Sequence, residues 1–325
     1  MNLDNLPRKN SADHIWVDYI ELLCLFNRDG IVTKADVLDR RRDEADFYVD
    51  TEEAEDNWEE MPVSEVKDVE EREVDDWFRH LSYRQGVFHD FYPFLVGSDG
   101  QTCYRHESLS EKHKFYIFLL LASNLRYFSG RHHSLTRTFE IVSWAALKEF
   151  LPASAEVHIF RPVSEMRTSQ QRYVGNLWNR MNILATDLRE RLRIEQIHLS
   201  PNDSGDGGLD IVGWVPTGND STGGLLCVFA QCACTNDWVD KQHSSGVQAW
   251  GAKLTFTCPP SNMVFIPFCF RNAGGEWFTP HDIHGSILVD RVRLVYFLRE
   301  NYPIWMTFSA YQFIEEQLRR NEALV

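Results

Sequence analysis

The sequence predicts an α/β chain: a mixed sheet flanked by helices over residues 131–325, preceded by a mainly helical region over 1–130. Three observations carry this reading. In the second half, β-type runs at 155–160, 209–215, 225–233 and 263–270 alternate with helical periodicity, the pattern of a sheet with helices packed on it. In the first half, apolar residues fall at helical spacing. And 325 residues, 43% hydrophobic and 13% aromatic, supply a proper core for one large or two ordinary domains, which excludes a disordered or fibrous chain.

Taken in order, Ile15, Tyr19, Leu22, Leu23 and Phe26 form a helical stripe, and Asn27-Arg-Asp-Gly30 supplies the turn chemistry that stops it. Residues 41–76 are acid-rich and nearly free of aliphatic periodicity until Val69, which favours a solvated stretch over a helix with one weakly apolar face. Docking on a basic partner is a second reading of that segment. The apolar run Phe115–Ala122 is far short of the roughly 20 residues a membrane span needs, so it reads as a buried helix or strand. Ser134 to Leu151 reads as a helix. Tyr173, Leu177, Met181, Leu184, Leu188 and Leu192 recur every three or four residues, one stripe of an amphipathic packing helix. The second and third β-runs, joined by the Pro/Gly/Asn/Ser/Thr loop 216–224, read as a hairpin.

Charge narrows the function classes. Lys and Arg number 33 against 48 Asp and Glu, a net −15 that argues against coating nucleic acid through bulk positive charge. Residues 41–80 hold 17 acids and 5 bases, so this one segment makes the protein acidic. Seven cysteines, an odd number, and an N-terminus without a charged stretch leading into an apolar run predict a reduced, cytoplasmic chain with no membrane partner. No C-x-x-C pair occurs, so Cys227, Cys232 and Cys234 are expected as core or strand-end cysteines rather than a zinc knuckle. Signatures G-x-S-x-G and GxxxxGK[ST] are absent as well.

Chemistry concentrates in three pieces. Gly205-Asp206-Gly207-Gly208-Leu209-Asp210-Ile211 opens the hairpin. Strand alternation there points Asp210 away from Leu209 and Ile211, and places Gln231 and Ala233 on one face of the second strand. Carboxylate and amide oxygens at one hairpin end are hard ligands that Mg²⁺ accepts. Glu140 shares a helical stripe with Trp144, Leu147 and Leu151, where a carboxylate is costly without a partner; Arg137, three residues earlier, is the ordinary candidate.

Together Phe139-Glu140, the Gly-Asp-Gly-Gly-x-Asp-Ile strand and Gln231-Cys232-Ala233 resemble the PD-(D/E)XK nuclease superfamily, Mrr-like restriction endonuclease branch, over roughly residues 134–250. The resemblance implies a restriction-endonuclease-like sheet over 131–325. It also implies a Mg²⁺- or Mn²⁺-dependent endonuclease acting on DNA, alone or as the nuclease subunit of a restriction or anti-phage defence system. Asp210 and Gln231 would then hold the metal, Asp206 would be a second carboxylate, and Glu140 a supporting acid. Two features depart from the family: about 50 residues separate the Glu helix from the Asp strand, and the strand lysine is Ala233. Lys241, in what reads as an N-capped helix start at Thr235–Gln242, is the candidate replacement. The charge of −15 predicts weak intrinsic DNA binding, hence a protein partner subunit or a homo-oligomer that delivers DNA. Ala233 also supports an alternative, a catalytically silent member of the fold that binds nucleic acid or scaffolds an assembly.

Overall fold

Helix α1 (Asp13–Phe26) is buried on almost every side, with Trp16, Val17, Tyr19, Ile20, Leu22 and Leu25 all at or near zero exposure. A helix apolar all round belongs in the middle of a core, and that is where the computed structural model places it. The structure describes residues 3–48, 63–128, 130, 132–166, 171–199 and 205–322. Gly30 closes the expected turn at φ +64°, and a short strand β1 (Ile31–Thr33) follows.

The acidic segment departs from the solvated stretch expected of it. Residues 49–62 lie outside the described residues, but the chain on either side is helical: α2 (Lys34–Tyr48) and α3 (Val63–Phe88). Their charges have opposite signs where they face one another. Lys34 pairs with Asp75 at 2.5 Å, Arg41 with Glu73, and Arg42 with Glu70 and Glu71, both at 3.8 Å. The Arg41 guanidinium also lies over the rings of Trp16 and Trp77, which are stacked 4.5 Å apart. Acidity that looked like solvation in the sequence is in part pairing between helices, and Val74, Trp77, Phe78 and Leu81 bury the apolar side of α3.

Strands β2 (Phe94–Val96) and β3 (Thr102–Arg105) join β1 in a small antiparallel sheet of order β1-β3-β2. Strands of three and four residues are too short to show period-two alternation, so this sheet has no periodic signature in the sequence. Helix α4 (Glu111–Ala122) starts at a capping box between Ser110 and His113 and buries the whole run Phe115–Ala122.

The second half builds one mixed sheet. Helix α5 (His132–Phe150) leads to β4 (Glu156–Ile159), then α6 (Leu177–Leu188), β5 (Ile211–Trp214) and β6 (Cys227–Cys232). Helices α7 (Trp238–Lys241) and α8 (Val247–Gly251) cross to β7 (Ser261–Phe265), and β8 (Ile287–Val289), α9 (Arg291–Leu298) and α10 (Ser309–Glu322) complete the chain. Strand order is β4-β5-β6-β7-β8; the first three strands run antiparallel and the last two are parallel to β6. Val157, Ile211, Val228, Ala230, Met263 and Phe265 face the cluster containing α5, while Val212, Trp214 and Phe229 face α6 and Trp250. Helix α6 is shorter than its apolar stripe. Asn176 caps its start, accepting from Asn179 N–H, and Arg189 ends it in the left-handed region, yet Tyr173 and Leu192 still join the same core. β7 stops at Phe265, earlier than the run to Phe270 suggested.

One apolar cluster spans residue 130, running from Trp16 to Ile314. Inside it sits an ionic group. Arg84 donates to Asp18 at 2.6 Å and lies 2.9 Å from Glu21; Arg291, at the start of α9, donates to Asp18 at 2.8 Å and lies 3.5 Å from Glu21. Tyr92, Tyr116, Ser123 and Asn124 donate to the same two carboxylates. Asp18 and Glu21 are at most 2% exposed.

Breaking such a buried group leaves an uncompensated charge, so Arg291→Gln is expected to cost about 3–5 kcal/mol, read as a drop in urea midpoint. Two neutral histidines border the same group. Burial, with Arg84 and Arg291 close by, holds His14 down to about 4 and His80 down to about 2, and both His80 ring nitrogens are buried without partners. Both values lie below the unfolded 6.5, so the unfolded chain binds more protons. Stability is therefore complete above pH 6.5 and is lost as pH falls through about 4 and then about 2. Depressed Asp18 acts in the same sense at lower pH, and Glu21, raised by burial, opposes it. Between pH 6 and 5, each histidine should contribute a slope of about 1.4 kcal/mol per pH unit. Urea titrations of wild type and His80→Leu test this, because equal slopes in the two proteins contradict it.

Candidate active site

The end of β4, the start of β5 and the end of β6 meet at one end of the sheet. Asp210 N–H donates to Ala230 O at 3.0 Å, yet the register partner of Ala230 is Ile211. Two residues therefore oppose one, the pattern of a β-bulge. The consequence contradicts the alternation expected from sequence: Leu209 packs toward Trp250 and Ile211 toward α5, so these two do not share a face. The extra residue is Asp210, and the bulge re-aims its side chain.

That side chain is 4% exposed. Its Oδ2 accepts from Gln231 Nε2 and from Cys232 N–H, both at 2.8 Å. Gln231 is 8% exposed, and its Oε1 is buried with no hydrogen-bond partner. Burial pushes the Asp210 carboxyl well above the usual carboxylate range, and the charges of Glu140 and Asp206 add to this; the Cys232 N–H and Arg161 pull the other way. Asp210 and Gln231 are thus brought together as the sequence suggested.

Glu140 on α5 belongs to the same group. It is 2% exposed, and desolvation raises its carboxyl despite an opposing guanidinium. That guanidinium is not Arg137, which bonds Ser164, but Arg161. Arg161 Nε lies 3.2 and 3.1 Å from the two Glu140 oxygens, and Nη2 donates at 2.7 Å. Arg161 lies two residues past β4, near Asp210, because Phe160 N–H donates to Asp210 O at 2.7 Å.

Asp206 lies in the turn before β5, where its Oδ1 accepts Gly208 N–H at 2.8 Å. Gly207 and Gly208 both have positive φ, and a Cβ on Gly208 would lie 2.9 Å from Ser244 O. Cations hold the turn from outside: buried Arg180 donates to Gly205 O at 2.6 Å and to Phe160 O at 3.3 Å, and Lys253 donates to Gly207 O at 2.7 Å. The glycine signature was legible in sequence; Arg161, Arg180 and Lys253 were not, because their partners are a distant carboxylate and backbone carbonyls.

Lys241 is placed differently from the expectation. Helix α7 is a single turn without a side-chain cap, and Lys241 closes it rather than opening it. Its Nζ lies 3.0 Å from Asp237 and 3.5 Å from the Thr235 hydroxyl, and the side chain is 40% exposed. Ala233, where the resemblance would place a lysine, is buried among Trp238, Val264 and Ile266. Among the described residues, no three His, Cys, Asp or Glu side chains gather closely enough to hold a metal. One carboxylate, one amide oxygen and retained waters form a donor set that suits Mg²⁺, and the unpartnered Gln231 Oε1 is the observation that fits such an ion.

No protein-family model, curated protein or solved structure matches the chain. Among the described residues, no helix is long and apolar enough to cross a membrane.

A carboxylate kept dry among other carboxylates lowers stability. Asp210→Asn should keep the oxygen that accepts from Gln231 and Cys232 while removing the charge, and is expected to stabilise the fold by about 1 kcal/mol. Thermal unfolding at pH 7 measures this; a lower midpoint would mean that the carboxylate is a structural requirement.

Proposed function

We propose that this end of the sheet is the active site of a Mg²⁺-dependent DNA endonuclease of the restriction-endonuclease-like class. The reading is carried by one observation: buried Asp210 is joined to Gln231 through the amide Nε2, and the Oε1 of that same amide is buried without a partner. Further support comes from adjacency, since the Phe139-Glu140 helix, the Asp210 strand and the Gln231 strand, far apart in sequence, pack side by side. This is the arrangement implied by the resemblance to the Mrr-like PD-(D/E)XK branch.

Asp210 and Gln231 would hold the ion, and the charge of Asp206 acts on Asp210 from the turn before β5. Bound Mg²⁺ or Mn²⁺ supplies Lewis-acid polarisation of the phosphodiester and a more acidic water. The chain's own contribution is to keep Asp210 fixed by two donors, so that little reorganisation is needed on binding. Excess negative charge favours delivery of DNA by a protein partner or a second copy of the chain.

A second reading is favoured by Ala233 and by the pairing of Lys241 with Asp237: a catalytically silent nuclease fold that binds nucleic acid or scaffolds an assembly. Plasmid nicking by purified protein separates the two. With Mg²⁺ or Mn²⁺, wild type is expected to nick or linearise DNA, EDTA to stop it, and Asp210→Ala to lower the rate on the order of 10³-fold. Gln231→Ala should lose about tenfold. Cleavage that survives Asp210→Ala would remove the site, and a wild type inert in its native assembly favours the silent reading.

A further inference from the structure

The nuclease reading leaves the site short of a cation at the position where its family has the strand lysine. Resting on that reading, we infer that Arg161 contacts the scissile phosphodiester of DNA in place of that lysine, and that Glu140 is the residue that positions it.

Placement comes first. Arg161 lies two residues past the end of β4, near the start of β5; it acts on Asp210, and the charges of Asp210 and Asp206 act on it. Its side chain is 41% exposed while that of Glu140 is 3% exposed, so the pair is anchored in the protein and open on the arginine side. Bonding geometry comes second. Glu140 takes the Nε–Nη2 edge of the fork. The Nη1 edge makes no hydrogen bond among the described residues. A guanidinium has two edges suited to oxyanions, and the free one matches two phosphate oxygens.

Other cations named around the site have partners of their own, Arg137 among them, which donates to Ser164. Lys241 pairs with Asp237, Lys253 holds the Gly207 carbonyl, and Arg180 is buried against Gly205 and Phe160. A buried glutamate clamped to an exposed arginine also gives Glu140 a role different from that of a metal-supporting acid. It fixes the fork and partly neutralises it, so that phosphate is oriented rather than held tightly.

The test is DNA binding by the purified protein in its native assembly in EDTA, followed by fluorescence anisotropy of a labelled duplex across a salt series, so that no cleavage is needed. Arg161→Gln should weaken binding about tenfold and lower the slope of log K against log salt by about one. Arg161→Lys should keep the slope, and Lys241→Gln should leave both quantities unchanged. Glu140→Gln, if it acts on the fork, should hold or tighten DNA binding while lowering the cleavage rate, a split that mere loss of structure does not produce. An Arg161→Gln protein with wild-type affinity and slope overturns the inference, as does a wild type that, in its native assembly, binds no DNA or binds only RNA of the same sequence. Mn²⁺ calorimetry separates this from the metal site: binding kept in Arg161→Gln and lost in Asp210→Asn supports both. A wild type that takes up no Mn²⁺ sinks the metal reading alone, and the salt slopes then decide Arg161 by themselves.

Discussion

The ionic group of Asp18, Glu21, Arg84 and Arg291 is the constraint on which the assembly of this chain depends. Its members come from α1, α3 and α9, separated by up to 273 residues, and they lie where water cannot screen them. Ionised groups there are tolerable only with every partner in place. The helical region therefore has one admissible seat against the end of the sheet, since Arg291 must reach Asp18 while also donating to Pro267 O, just past β7. Apolar packing alone, between Phe115–Ala122 and the faces of α5 and α10, would allow sliding that the ion pairs forbid.

That seat matters for the candidate site because both lie toward the same end of the sheet. Pro267 follows β7, which runs parallel to β6, and β6 ends at Gln231 and Cys232. A cavity of about 170 Å³ separates the helical region from the strand end, lined by Asp18, Ser123 and Asn124 on one side and by Cys234 and Thr235 on the other. The first third of the chain thus packs beside the chemistry-bearing end and leaves the opposite end to a separate cavity lined by both polar and apolar groups, among them His243, His284, Val247 and Ile287.

Legibility in the sequence followed the range of the interaction. Long periodic elements were readable: α1, α5, α6 and the β5–β6 hairpin each carry their pattern within about twenty residues. The small β1-β3-β2 sheet was not, because three-residue strands have no periodicity. The pairing of α2 with α3 was hidden for another reason, since a composition rich in acid looks the same whether its counter-charges are water or Arg41 and Lys34. Within the site, Asp210 and Gln231 were legible as neighbours across a hairpin. The bulge was invisible, because alternation assumes a regular ladder, and Ile211 and Leu209 ended on opposite faces. The Arg161–Glu140 pair joins residues 21 apart through tertiary packing, and neither local spacing nor the resemblance pointed to it.

Charge at the site poses a choice that the fold itself has set up. Glu140 and Asp206 act on Asp210 through a poorly solvated space, and Asp206 acts on Glu140; Arg161 opposes both, and Arg137 opposes at Glu140. Arg161 neutralises Glu140 by direct contact, which leaves Asp210 as the carboxylate whose charge is least compensated. Two ways of relieving it exist: a proton, favoured by burial, or a dication, favoured by Gln231 Oε1, an oxygen dipole with nothing to accept from. A proton on Asp210 removes the carboxylate charge, whereas the proposed dication would also meet the Gln231 amide oxygen, which accepts from nothing. A buried acceptor without a donor costs about 1–3 kcal/mol, so a sequence selected for stability alone gains by placing an apolar residue at 231. The cost is the physical reason for reading this corner as a binding place for a cation rather than as a packing defect.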